Sequence, residues 1–291
     1  MAVVGFIGLG MMGSRIAARL LAKGYLVAGY NRTPEKAAVL VNAGLQLCAS
    51  PREVAEVADI TMSMVSNDDA LIAIADGADG VLAGLSAGKI YVEMSTVSPR
   101  LSRDLAQQVS ARGAHMLEAP VSGSIPAVES GTLVIFVGGN ADVLEHVRPI
   151  LEELSQKIIH VGASGQAVTT KIAINLGLPI QLAALFEGVL LAEKSGVSRQ
   201  QALDSLLNSA AASPAMKYRA PLALNPPKEV WFSVDMMVKD VRLALDLGQE
   251  LGVPLPTVQL SYDLLLQAQS MGYGEEDFAA LFKVLADMSG A

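Results

Sequence analysis

Apolar residues in the first half of the chain fall into short runs separated by amphipathic stretches. Residues 3–7 read as a buried strand. Residues 11–23 repeat apolar positions at helical spacing and close at Gly24, and residues 25–30 form a second apolar run. The rhythm continues with strands at 45–47, 60–65, 90–93 and 115–119, and with helices at 34–42, 51–57, 70–75 and 99–112. Residues 133–137 and 158–161 extend the strand set, with a helix at 141–154 between them. Such alternation predicts a doubly wound, mostly parallel α/β sheet. After Gly162-Ala163-Ser164-Gly165 the strand signal fades and helical periodicity persists to the end. It is interrupted at Gly196, Ser213-Pro214, Asn225-Pro226-Pro227, residues 252–256 and Gly272-Tyr273-Gly274. The expected division is a Rossmann-type domain over residues 1–162 and an all-α domain over residues 163–291.

The first strand runs directly into Phe6-Ile7-Gly8-Leu9-Gly10-Met11-Met12-Gly13, a G-x-G-x-x-G sequence at a helix start. In that setting Gly8 permits a tight turn and Gly10 permits close approach of backbone to a pyrophosphate. Gly13 lets the helix pack on the strand, and the helix N-terminus offers free N–H groups to the anion. Residues 1–162 are therefore expected to bind a dinucleotide. At the end of the second strand an NAD site usually carries Asp or Glu for the ribose hydroxyls. Here Asn31-Arg32-Thr33 takes its place, so no carboxylate repels a 2′-phosphate. Arg32 offers a charged donor fork and Thr33 a hydroxyl, which favours NADPH. The same residues also read as a helix cap with Pro34 at the first helical position, and the two readings are compatible.

Composition narrows the field. Hydrophobic residues make up 52% of 291 positions, enough for two cores, and the net charge of −8 with no basic stripe argues against a nucleic-acid partner. A single cysteine, Cys48, excludes an intramolecular disulfide, and His115, His146 and His160 lack ligand spacing, so no metal site is expected. The N-terminal apolar run begins at residue 2 without a basic leader, which predicts a cytoplasmic protein. Residues 172–192 approach the length of a bilayer span, but Asn175, Pro179, Gln181 and Glu187 interrupt them. They read instead as a buried helix, apolar on most faces, of a domain core or subunit interface.

Three clusters outside the glycine turn could carry chemistry. Glu118-Ala119-Pro120-Val121-Ser122-Gly123-Ser124 is a strand end followed by a polar turn. There Ser122 and the N–H groups near Gly123 suit a small carboxylate, or form an ordinary turn. Lys171 and Asn175 are one helical turn apart, and the fifteen residues after Lys171 carry no charge. An ammonium there is either a site or a snorkelling helix-end lysine. Trp231-Phe232 with Lys239-Asp240 is either a pocket wall with a polarising carboxylate, or core packing beside a solvated charge pair.

Taken in register, these pieces resemble the β-hydroxyacid dehydrogenase family, relatives of 6-phosphogluconate dehydrogenase. The likeness rests on the glycine turn, Ala119 to Gly123, Gly131-Thr132-Leu133 leading to Gly138-Gly139, Lys171 with Asn175, and Lys239-Asp240. Asn31-Arg32-Thr33, Ser95-Thr96, Phe232 and residues 239–245 bring it nearest to the glyoxylate and succinic semialdehyde reductases. Ser124 departs from the pattern, which usually continues with a second glycine. Imine reductases share the fold but generally lack the lysine.

The resemblance implies NADPH-dependent reduction of a small aldehyde acid beside the nicotinamide. Lys171 would stabilise the developing alkoxide and deliver its proton, with Asn175 orienting substrate and lysine. Ser122 and Gly123 would hold the carboxylate, Thr96 would lie near both substrate and nicotinamide, Phe232 would line the pocket, and Asp240 would favour the ammonium of Lys171. Gly8, Gly10, Met11, Met12, Gly13, Asn31, Arg32, Thr33, Met64, Val65, Thr96 and Lys239 would contact NADP(H). The helical domain would bind substrate and support a homodimer or homotetramer. Two alternatives share this scaffold: a 3-hydroxyisobutyrate-type dehydrogenase working oxidatively, and a catalytically silent nucleotide-binding scaffold, against which Lys171 argues.

Overall fold

Val3–Ile7 forms β1 in the interior of a nine-stranded sheet in the computed structural model, which describes residues 3–290. The other strands are β2 (Leu26–Tyr30), β3 (Gln46–Leu47), β4 (Ile60–Ser63), β5 (Ile90–Glu93), β6 (His115–Glu118), β7 (Val121–Ser122), β8 (Leu133–Gly139) and β9 (Ser155–Gly162). Their order is β3-β2-β1-β4-β5-β6-β8-β7, with β9 on the other edge of β8. Strands β1 to β6 pair in parallel, whereas β8 runs antiparallel to β6 and β7 and parallel to β9. The expected doubly wound, mostly parallel sheet is the observed one.

Alternation along β1 shows why helices cover both faces. Val4 and Phe6 join a core with Ile16 and Leu20 of the helix Met11–Ala22 and with Val147 and Leu151 of Ala141–Glu152. Ile7 points the other way, into a core with Val54, Leu71, Tyr91 and Leu105. Each fully buried side chain of this size contributes roughly 1.5–3 kcal/mol by leaving water. Side-chain caps define where the helices begin: Ser50, Asn67, Ser98 and Asn140 each accept a hydrogen bond from a first-turn N–H. Tyr91 is the largest fully buried side chain in the second core. Its hydroxyl pairs with Ser63 Oγ at 2.6 Å, and burial, then the nearby Glu93 charge, pushes its ionisation upward, so it stays neutral.

Residues 120–131 depart from the expected turn. They form β7 and the short helix Ile125–Ser130, which ends on Gly131 in the left-handed conformation (φ +71°). β6 and β7 pair with successive stretches of β8, and Phe136 donates to the Pro120 carbonyl at 3.0 Å between them.

Two compact units emerge, one up to Lys171 and one from Ile172 onward. The regular elements of the second are helices, among them Gly177–Lys194, Arg199–Leu207, Pro214–Arg219, Val234–Leu251, Pro256–Ser270 and Leu281–Ser289. Its core includes an edge-on pair of Phe186 and Phe282, centroids 5.3 Å apart. The apolar stretch expected at 172–192 belongs to two helices, Gln166–Asn175 and Gly177–Lys194, that meet at Leu176. Together they are long and apolar enough to cross a membrane. Pro179, Leu182, Leu185, Phe186 and Val189 are nonetheless buried in the second unit, while Leu191 is exposed. Lys171 lies in the second turn of its helix.

Candidate active site

The glycine turn has the shape that a dinucleotide requires. Gly8 sits at φ +94°, and a Cβ on it would meet the Met64 carbonyl oxygen at 2.3 Å. A Cβ on Gly13 would lie 2.0 Å from the Gly8 carbonyl oxygen and 2.8 Å from the Phe6 ring, so only glycine lets the helix approach the strand. Gly10 differs: nothing lies within 4 Å of where its Cβ would be, leaving open space beside the backbone. No side chain caps the helix Met11–Ala22 and no acid occupies its first turn, so its leading N–H groups and positive dipole end are available to an anion. A pyrophosphate fits these features.

The remaining expected cofactor contacts in the first unit lie at the carboxyl ends of β1, β2, β4 and β5, whereas Lys239 lies on the helix Val234–Leu251 of the second unit. β1 and β4 are the neighbours at which the strand order reverses, the position where open α/β sheets bind ligands. Asn31 Oδ1 accepts from Leu9 N–H at 3.0 Å and its Nδ2 donates to the Thr33 carbonyl at 2.8 Å, tying the second strand end to the glycine turn. Arg32 and Thr33 are exposed beyond it. Met64 donates to the Ile7 carbonyl at 3.0 Å, and Val65 N–H donates to Ser95 Oγ at 2.8 Å. Ser95 N–H in turn donates to the buried Glu93 carboxylate at 2.7 Å, which fixes the segment carrying Thr96. Ser95 therefore works as a brace, a role its position in the sequence does not reveal.

The segment at 118–124 is also built around glycine. Ser122 ends β7, and Gly123 (φ +128°) has Ala127 Cβ and Leu133 Cδ2 each 2.8 Å from the position of a Cβ. The Ser124 hydroxyl is buried and has no hydrogen-bond partner. Glu118, to which sequence reasoning assigned no role, is fully buried. It accepts from Ser102 Oγ at 2.5 Å, from Gly165 N–H, and from Val168 N–H at 3.4 Å. The carboxylate thus sits on the first turn of the helix Gln166–Asn175, where the dipole favours negative charge. Gly138 makes room for it: a Cβ there would be 2.7 Å from Glu118 Oε2. Replacing Glu118 by Ala strands these donors and opens a void, an expected loss of about 3 kcal/mol in unfolding free energy. Urea unfolding measures this, and a loss below about 1 kcal/mol would remove Glu118 from the helix-anchoring role.

Lys171 and Asn175 lie one turn apart on that helix, as expected. Within the second unit, Asn175 Nδ2 donates to Asp240 Oδ2 at 2.5 Å, and Lys239 Nζ lies 2.7 Å from Asp240 Oδ1. The second contact is ionic rather than an aligned hydrogen bond. Asn175 and Asp240 are both almost completely buried. Lys239-Asp240 is therefore not a solvated pair: the carboxylate is held inside by an amide from a helix 65 residues earlier in the chain. Phe232 lies in the loop before the helix Val234–Leu251, its ring edge-on to Phe278 at 6.2 Å.

The doubly wound sheet, the glycine turn and the uncapped helix define a dinucleotide-binding protein. Family models agree along the chain: the NAD-binding domain of 6-phosphogluconate dehydrogenase matches residues 3–162, and the NAD-binding domain of NADP-dependent 3-hydroxyisobutyrate dehydrogenase matches 165–285. The chain belongs to the β-hydroxyacid dehydrogenase family and is an oxidoreductase acting on CH–OH or carbonyl groups. It is 33% identical to 2-(hydroxymethyl)glutarate dehydrogenase of Eubacterium barkeri, over 99% of this chain and 96% of that protein. It is also 33% identical to glyoxylate/succinic semialdehyde reductase 1 of Arabidopsis thaliana, over 97% and 98%. A solved structure of Mycobacterium tuberculosis 3-hydroxyisobutyrate dehydrogenase with L-serine superposes with a TM-score of 0.88 at 29% identity, covering 98% of this chain and 99% of that one.

Proposed function

We propose that this protein is an NADPH-dependent reductase of small aldehyde acids, glyoxylate or succinic semialdehyde among them. The observation that carries the reading is the conjunction, in one chain, of Lys171 on the helix anchored by Glu118 and a buried Asn175–Asp240–Lys239 cluster one turn further on. The glycine turn, with Met11, Met12, Asn31, Met64, Val65, Thr96 and Lys239, holds the dinucleotide. Arg32 and Thr33 select its 2′-phosphate. A reduced nicotinamide, when bound, supplies the hydride. Lys171 donates a proton to the carbonyl oxygen as charge develops there, Asn175 orients substrate and lysine, and Asp240 favours the ammonium of Lys171. Ser122 and the backbone at Gly123 bind the carboxylate, and Phe232 closes the apolar side of the pocket. The helical unit also supplies the contacts of a homodimer or homotetramer, and the protein works in the cytoplasm.

Similarity to the Arabidopsis reductase favours the reducing direction, while similarity to the mycobacterial dehydrogenase favours oxidation of a 3-hydroxy acid. A steady-state panel decides between them. Glyoxylate, succinic semialdehyde and 3-hydroxy acids are each assayed with NADPH or NADP⁺, and with NADH or NAD⁺. The expected result is a kcat/KM at least tenfold higher for an aldehyde acid with NADPH than for any hydroxy acid with NADP⁺. A preference for 3-hydroxyisobutyrate would assign the oxidative role, and silence across the panel would sink the aldehyde-acid reductase reading.

A further inference from the structure

Arg219 and Asp277, 58 residues apart in the chain, form a buried ion pair. Nη1 of Arg219 lies 2.5 Å from Asp277 Oδ2, and the two side chains are only 5% and 6% exposed. Burying two charges gains little net stability against an apolar pair of similar volume, because desolvation offsets the attraction. Arg219 Nε lacks a hydrogen-bond partner, which adds to the cost. Stability alone is a weak reason for such a pair.

What the pair touches suggests a positional role. Asp277 Oδ2 also accepts from the Phe232 N–H at 3.3 Å, and Oδ1 accepts from Ala279 N–H at 3.1 Å. Phe278 donates to the Phe232 carbonyl at 3.0 Å and Val234 to the Glu276 carbonyl at 2.9 Å. Around Phe232 the chain therefore runs as a short antiparallel ribbon, bridged at Ser233 and Asp277. Above it the Arg219 guanidinium stacks 4.7 Å from the Phe278 ring, with Trp231 at 5.9 Å and Tyr218 at 5.5 Å. Residues 224–232 contain no helix or strand, and at the end of that loop the charge pair reinforces the backbone ribbon.

We infer that Arg219 and Asp277 are positioning residues that hold the Trp231–Phe232 loop in place, so that the Phe232 ring is presented to the aldehyde acid. This rests on the reductase reading for the identity of the ligand. The latch sets substrate affinity, through the ring it orients, and leaves the proton donor and the dinucleotide turn alone. Removing it costs binding before it costs chemistry.

Trp231 is the single tryptophan of the chain, so its emission reports on this loop directly. Arg219→Lys keeps a cation but loses the planar fork and the stacking, and Asp277→Asn keeps an acceptor but loses the charge. The double variant Arg219→Met with Asp277→Asn removes both charges, so neither is left buried alone. In each, KM for the aldehyde acid that the wild type prefers is expected to rise at least tenfold. In the same variants kcat should stay within threefold, the NADPH dissociation constant within twofold, and Trp231 emission should shift to the red. KM within twofold of wild type together with unchanged emission would overturn the latch. So would a parallel loss of kcat, KM and NADPH affinity in a variant that melts cooperatively. If the single variants do not fold, the double variant decides. If the wild type turns over no aldehyde acid, the reductase reading falls, and Trp231 emission alone judges the latch.

Discussion

Lys171→Ala is expected to lower kcat for aldehyde reduction by roughly 10²–10⁴-fold, the range that a positioned general acid contributes. On the proposed mechanism the methyl group would leave the developing alkoxide without its proton donor. The glycine turn and Asn31 make none of their contacts through Lys171, so the NADPH dissociation constant should stay within twofold, measured by nucleotide fluorescence on the same preparation. Lys171→Arg separates the two parts of the role. A guanidinium keeps the charge but does not give up a proton near neutral pH, so it should recover little of the loss. Wild-type turnover by the alanine variant would remove Lys171 from the mechanism.

Arg32→Ala is expected to raise KM for NADPH by about 10–100-fold, the scale of lost hydrogen bonds to a charged group, and to leave KM for NADH within twofold. Asn31 occupies the place where a carboxylate would favour NADH, and both ends of its amide are already committed, to Leu9 N–H and to the Thr33 carbonyl. On the proposed reading, discrimination at this strand end falls to the exposed Arg32 and Thr33. Steady-state kinetics with each cofactor measures it, and equal losses with both would refute the phosphate assignment. A salt titration adds a second check: NADPH binding to the wild type should weaken with ionic strength more steeply than binding to the variant, because an exposed ion pair is screened.

Some of this site could be read along the chain because its constraints are local. Gly8, Gly10 and Gly13 each answer a backbone requirement within a few residues: a positive φ, an open approach and a helix–strand contact. Helix starts follow from Ser50, Asn67, Ser98 and Asn140, whose side chains cap within three positions. Where short-range signals conflict, the reading fails. β7 is two residues long, too short for any periodicity to register, and it precedes Gly123, Ser124 and Pro126, which read as breakers. Pro126 in fact sits in the first turn of a helix, where a missing N–H costs nothing.

The amino-acid order by itself determined the alternation of strands and helices, the change to an all-helical second half and the dinucleotide turn, because hydrophobic period and glycine geometry act over a few residues. Only the tertiary structure decided that Glu118 anchors the helix of Lys171 and that Asp240 is buried against Asn175. It alone decided that Arg219 and Asp277 meet at the end of the Phe232 loop. Their partners lie 47, 65 and 58 residues away, and a charge carries no mark in the sequence of which distant group will compensate its burial.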